Sequence, residues 1–251
     1  MPVERALTLY LDRKEIVTLM TLGAHPEWLV LGYLLSQRLI ESAADLESIT
    51  VDWETNAAGV RTRFPAREIA FRNASRVVTT GCGQGSMFSD LLDTLEPVPD
   101  HFVQVRQDTL AAIVNAVRQH DTLYKKAGSV HACALFSGES LRIFIEDVGR
   151  HNALDSIAGW RALQPVESLS THHCPILYTT GRLTSEMIIK SAQMQIPVVV
   201  SRSGTTEMAI EVAHRHGVCA IGRALNQRFV CYTHPSRIQF EGSPAMPTQP
   251  A

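Results

Sequence analysis

From residue 175 to residue 217 the chain twice uses one pattern: a short apolar run, a polar loop with glycine and hydroxyls, then a segment with helical spacing. "PILYTT" leads into "TSEMIIKSAQMQ", "IPVVVS" leads into "TEMAIEVAHRHG", and "VCAIGRALNQRFVCYT" closes as a hairpin. A chain that alternates strand and helix in this way has few choices. Its strands lie parallel, its helices cover both faces of the sheet, and ligands bind at the carboxyl ends of the strands. Upstream, "DTLAAIVNAVRQH" has the period of a helix with Asp108 at or near its cap. "SVHACALFSG" and "SLRIFIED" read as a hairpin, and "NALDSIAGWRAL" as a further helix. The spacing predicts an α/β domain over residues 76–240 with a largely parallel sheet.

The front of the chain reads differently. "ALTLYLD" and "EIVTLMT" look like strands, and "PEWLVLGYLLSQRLI" like an amphipathic helix opened by Pro26. "ESITVDWE" and "GVRTRFP" look like two more strands, joined around Asn56 to Gly59. Residues 1–75 are therefore expected to form a small α+β region, and the proline-rich residues 241–251 a disordered tail. With 251 residues the chain can bury a substantial core, and its net charge of −2 argues against nucleic acid or an anionic membrane as partner. No stretch approaches the roughly 20 apolar residues of a membrane span. Five unevenly spaced cysteines and a start without a secretory signal predict reduced thiols in a cytoplasm.

Two strand-end loops are unusually polar, "YTTGRLTSE" and "SRSGTTE". Each joins a glycine, an arginine and hydroxyls to a helix start, which suits phosphate or another anion. Arg182, Ser185, Ser201 and Thr205 are the candidates; alternatively Ser185 and Thr205 merely cap helices, and Arg182 and Arg202 pair with acids. Neither loop has the lysine of a phosphate-binding Walker motif. Among the thiols, Cys133, Cys219 and Cys231 sit in apolar strand-like runs, and Cys174 precedes a proline at a strand entrance. Cys82 instead lies between two glycines in "GCGQGS", just before a helix expected to start at Ser86. That setting leaves a sulfur approachable and favours thiolate, although simple turn chemistry explains it too. "HAC" at residues 131–133 lacks the glutamate of zinc deaminases, and no Cys-x-x-Cys exists, so no bound metal is expected. The densest polar cluster is "EDVGRHNALD", residues 146–155. In it Asp147 and Arg150 are expected to pair, Arg150 and His151 to line a site, Asn152 or Asp155 to organise the following helix, and Glu146 and Asp155 to be internal wiring.

Taken together, "GSVHACAL", "EDVGRHNALD", "GRLTSEM" with Lys190, "IPVVVSRSGTT" and "VCYTHPSRI" resemble the FdhD/NarQ proteins in order and spacing, over roughly residues 4–240. The resemblance implies a cytidine deaminase-like three-layer α/β/α sandwich and a homodimer. It also implies a sulfur carrier that takes sulfane sulfur from a cysteine desulfurase as a cysteine persulfide. The acceptor would be the molybdenum (or tungsten) bis(molybdopterin guanine dinucleotide) cofactor of formate dehydrogenase. Cys82 is the residue that matches the family's reactive cysteine, with Gly85 where a second cysteine is common. The segment of Arg223, Ala224, Leu225, Asn226, Gln227 and Arg228 matches the family's cofactor contact, with Leu225 where an arginine is frequent. Two other readings are a chaperone that binds the cofactor or a guanine nucleotide without moving sulfur, and a deaminase-like hydrolase.

Overall fold

The computed structural model describes residues 2–63, 76–78, 92, 94–99, 104–120, 123–165, 174–225 and 227–240. The Cys82 loop, Ser86, Asn226 and the tail at 241–251 lie outside the described residues.

The N-terminal region is built on a sheet ordered β3-β4-β1-β2-β5. Its strands are β1 (Arg5–Leu11), β2 (Lys14–Thr21), β3 (Leu46–Asp52), β4 (Ala57–Thr62) and β5 (Arg76–Val78). Alternation in "RALTLYL" sends Leu7, Leu9 and Leu11 to one face, where each is fully buried. Asn56, at φ +54°, closes the β3–β4 turn in the left-handed conformation that asparagine tolerates. β5 pairs in parallel with β2, so the first sheet continues past the expected boundary at residue 75.

α1 (Pro26–Ser36) begins with proline in its first turn, as expected, but it is not amphipathic. Leu29, Val30, Leu31 and Leu34 are all buried, because one side of the helix covers the first sheet and the other crosses α4 (Arg150–Ala162). The crossing is backbone to backbone. A β-carbon on Gly32 would overlap the Asp155 carbonyl oxygen, and one on Gly159 would overlap that of Trp28. The helix stops at Ser36, short of the predicted Ile40, where Arg38 turns left-handed at φ +54°.

The main sheet has the order β12-β11-β10-β9-β7-β8. Its strands are β7 (His131–Ser137), β8 (Ser140–Asp147), β9 (Pro175–Thr179), β10 (Val198–Ser201), β11 (Cys219–Leu225) and β12 (Arg228–Cys231). The sheet is mixed where a largely parallel one was expected. β9, β10 and β11 run parallel, β7 is antiparallel to β9, and the β7–β8 and β11–β12 hairpins flank them. α4, α5 (Ser185–Gln193) and α6 (Glu207–Arg215) cover one face through Ile157, Ile188 and Val212. α2 (Gln107–Gln119) covers the other through Ile113, Val114 and Val117. Asp108 lies inside α2, whose capping residue is Arg106. α3 (Leu123–Ala127) and a two-stranded parallel ribbon of β6 (Val105–Arg106) with β13 (Ile238–Gln239) complete the described α-helices and strands, beside short 3-10 turns at Ala43–Asp45 and Pro235–Arg237.

Candidate functional site

β9 and β10 end side by side, and β7 begins at the same end because it runs the other way. Their loops are laced together. Ser201 Oγ donates to the Gly181 carbonyl at 2.6 Å and accepts from the Ser203 amide at 2.9 Å. Ser203 Oγ donates to the Thr180 carbonyl at 2.8 Å, and Leu183 bridges to Thr205, whose hydroxyl donates to the Leu183 carbonyl at 3.4 Å. The hydroxyls of Ser201 and Thr205 therefore hold loop to loop. The helix caps are not Ser185 and Thr205 but their neighbours Thr184 and Thr206, with Ser185 the first residue of α5.

On the face covered by α4 and α5, these loops meet a cationic cluster. Gly181 packs against Arg150 so closely that a β-carbon there would stand 3.0 Å from its Cδ and 3.5 Å from His131 Nδ1. Burial lowers the pKa of Arg150, and the Arg182 guanidinium lowers it further; Arg182 itself is exposed. Burial also pulls His131 down, with Arg150 and Arg182 adding to the effect. His151 is pushed down to about 3, chiefly by burial, although Glu186 stands 3.4 Å from its Nδ1. Both imidazoles are neutral at pH 7. His131 Nδ1, Arg150 Nε and Thr184 Oγ1 are buried without a hydrogen-bond partner. Unsatisfied buried donors beside two guanidiniums and the start of a helix form a place for an anion.

The rest of "EDVGRHNALD" is internal bonding. Asp147 does not pair with Arg150. Its carboxylate accepts from Thr21 Oγ1 at 2.5 Å, the Leu22 amide at 3.1 Å, the Gly149 amide at 3.1 Å and Asn152 Nδ2 at 2.9 Å. Asn152 also donates to the Met20 carbonyl at 2.7 Å. Glu146 accepts from the Leu123 amide at 2.8 Å. Asp155 is buried with Lys190 Nζ at 2.8 Å and Ser36 Oγ at 2.7 Å. Burial would lower the Lys190 pKa, but Asp155 and Glu186 outweigh it and keep the ammonium charged.

On the opposite face, beneath α2, lies a pocket of about 400 Å³. Phe144, Tyr178 and Leu225 give it apolar walls, and Arg118, Lys125 and Arg202 line it with cations. The β11–β12 hairpin reaches it through Ala224 and Leu225. Arg223, at φ +53° in a bulge that breaks the pairing between Gly222 and Leu225, turns outward into solvent with Gln227 and Arg228. Of the predicted cofactor segment, then, Ala224 and Leu225 enter the pocket. Arg150, His151 and Arg182 belong to the cluster on the other face, and Ser185 is the first residue of α5.

Among the described thiols, Cys133 and Cys174 are pushed up to about 12 by burial, as inert core cysteines are. No group of three or more histidine, cysteine, aspartate or glutamate side chains able to hold a metal occurs among the described residues.

A model of the FdhD/NarQ family matches residues 2–239. The chain belongs to the FdhD/NarQ family. It is 31% identical over 242 residues to the "Sulfur carrier protein FdhD" of Bacillus subtilis, covering 95% of this chain and 90% of that protein. The protein of the same name from Wolinella succinogenes is 26% identical, with 94% of this chain and 81% of the relative aligned. A solved structure from Desulfotalea psychrophila, described as a formate dehydrogenase accessory protein, superimposes with a TM-score of 0.74. At 24% identity, covering 94% and 90% of the two chains, that likeness speaks to the fold. No helix among the described residues is long and apolar enough to cross a membrane.

Reading the sequence alone missed His131, Thr184 and Glu186 in the cluster, and Arg118, Lys125, Phe144 and Tyr178 in the pocket. His131 was legible only as half of a failed zinc motif. Its signal was the strand it opens, which starts where the parallel strands end.

Proposed function

We propose that this protein is a sulfur carrier serving formate dehydrogenase. In this reading Cys82 accepts sulfane sulfur from a cysteine desulfurase as a persulfide. It then passes that sulfur to the molybdenum or tungsten bis(molybdopterin guanine dinucleotide) cofactor, which is cargo and not a resident group. The observation that carries the reading is the pocket in which Ala224 and Leu225 meet Phe144, Tyr178 and three cations. Apolar and aromatic walls with a few convergent charges suit a planar heterocycle bearing phosphates. The relatives' name supports the same reading; a deaminase-like sandwich and a homodimer belong to the proposal as what the family resemblance implies.

The chemistry asked of the chain is modest. A thiolate at Cys82 attacks the outer sulfur of the desulfurase persulfide, and the desulfurase thiolate leaves. Arg118, Lys125 and Arg202 hold the acceptor's phosphates while the outer sulfur moves on.

Incubation with a desulfurase and cysteine should add one sulfur to the intact mass, mapped to Cys82, and Cys82→Ala should abolish activation of formate dehydrogenase. Full activation by Cys82→Ala would leave only a cofactor-binding chaperone. Arg202→Gln should weaken binding of guanosine diphosphate about 10- to 100-fold by titration calorimetry, the worth of one charge-assisted hydrogen bond. Unchanged affinity would place the nucleotide elsewhere.

A further inference from the structure

At the far end of the main sheet from the strand-end loops, two thiols face each other. Cys219 opens β11 and Cys231 closes β12, and their sulfurs stand 3.7 Å apart. Ile221 is paired with Cys231, so Cys219 and Cys231 are diagonal neighbours on one face of the hairpin. Cys219 is fully buried, whereas Cys231 is half-buried on β12, which stands at the edge of the sheet among the described residues and pairs there with β11 alone. A disulfide needs the sulfurs at about 2.05 Å. Side-chain rotation and a small shift of an edge strand can close that gap, which a central strand would resist.

We propose that Cys219 and Cys231 form a reversible dithiol–disulfide pair, oxidised by hydrogen peroxide, that locks the hairpin carrying Ala224 and Leu225. Cys231 is the attacking sulfur. It takes the outer oxygen of the peroxide, the O–O bond breaks, and a sulfenic acid and one water result. The Cys219 sulfur then attacks the Cys231 sulfur. The S–S bond forms, the S–O bond breaks, and the departing hydroxide takes the Cys219 proton as a second water. Two thiols lose two electrons and the peroxide gains them. This division of roles follows the exposure of the two sulfurs. The hydrogen bond between them also favours it, holding the Cys231 pKa below and the Cys219 pKa above the ordinary thiol value. The hairpin tip contributes Ala224 and Leu225 to the pocket, so a bond across its base restrains a wall of that pocket. The inference is independent of the role given to Cys82.

The test uses the full reduced chain treated with one equivalent of hydrogen peroxide, then alkylated and mapped by non-reducing peptide mass spectrometry. A linked Cys219–Cys231 peptide, released by dithiothreitol, is expected in both the natural chain and Cys82→Ser. Amide exchange over residues 228–231 should slow in the oxidised form. Cys231→Ser, at a half-buried edge position, should give no linked peptide. Mapping of the natural chain decides the matter even if that variant fails to fold. If both thiols stay reduced at peroxide levels that oxidise Cys82, the proposal falls. It falls equally if either is found joined to Cys174 or to a second chain.

Discussion

His131 and His151 are held neutral beside two guanidiniums, and that makes acid the weak side of this protein. A histidine whose folded pKa is depressed stays unprotonated in the native state while the unfolded chain takes up a proton below about 6.5. Its contribution is therefore complete above that value and drains away as pH falls toward the folded pKa. For His151 that lower limit is about 3. Between pH 6.5 and 5 it alone should cost about 1–2 kcal/mol of stability, at 1.4 kcal/mol per unit. Asp147 and Asp155, whose pKa values burial raises, act in the opposite sense, with stability gained as pH falls through their raised folded pKa values. Urea denaturation at pH 7, 6 and 5 should show His151→Gln with a distinctly shallower decline than the natural chain; parallel declines would mean that His151 is protonated in the folded state. The residue types of "EDVGRHNALD" were legible as a polar knot, and their partners were not. Thr21 and Ser36 lie more than a hundred positions away from the acids they serve, and no local pattern announces that Asp147 turns toward Thr21 and away from Arg150, or that Asp155 meets Ser36.

Among the elements, the α1–α4 crossing is the most exacting contact. Two helices approach this closely only where both lack a side chain, and Gly32 and Gly159 supply the two gaps. Gly159→Ala should cost at least about 3 kcal/mol, beyond the ordinary overpacking range, because the obstacle is backbone that cannot rotate aside. Gly59→Ala is the control, since nothing lies within 4 Å of its added carbon. Thermal melts of the two variants should separate clearly, and equal melting points would mean that the helices can part without penalty. Element types were largely readable because their periods are strong: period 2 in "RALTLYL" and the strand–helix alternation after residue 175. What failed was anything decided by a third element. α1 looked amphipathic because a sequence does not show that a second helix covers its other side. The main sheet looked parallel because a hairpin strand such as β7 is inserted beside β9 by pairing, not by chain order. The caps slipped by one residue at "TS" and "TT", where neighbouring hydroxyls compete for one duty.

For the molecule as a whole, the question is what makes two sheets into one working body. The N-terminal sheet reaches the strand-end site through Asp147, which gathers Thr21 at the end of β2, the Leu22 amide just beyond it, and Gly149 and Asn152 at the start of α4. Arg150 and His151 occupy the first turn of that helix, so the orientation of the cluster depends on the same carboxylate. Asp147→Ala removes the acceptor and leaves the Thr21 hydroxyl, two backbone amides and one Asn152 donor without it. With each orphaned buried donor costing about 1–3 kcal/mol, a loss of several kcal/mol is expected even after water enters. The loss should not be spread evenly. The glycine crossing and the buried Lys190–Asp155 pair still bind α1 to α4 and α5, while the β2 end of the first sheet is released. Calorimetry should therefore turn one cooperative transition in the natural chain into two in Asp147→Ala. Hydrogen exchange should place the earlier opening in β1 and β2. Sulfate or diphosphate should stabilise the natural chain more than the variant, although neither Arg150 nor Arg182 has changed. A single, uniformly lowered transition with full anion stabilisation would mean that the helix crossing alone joins the two sheets, and that the anion cluster is set by the main sheet without help from the first.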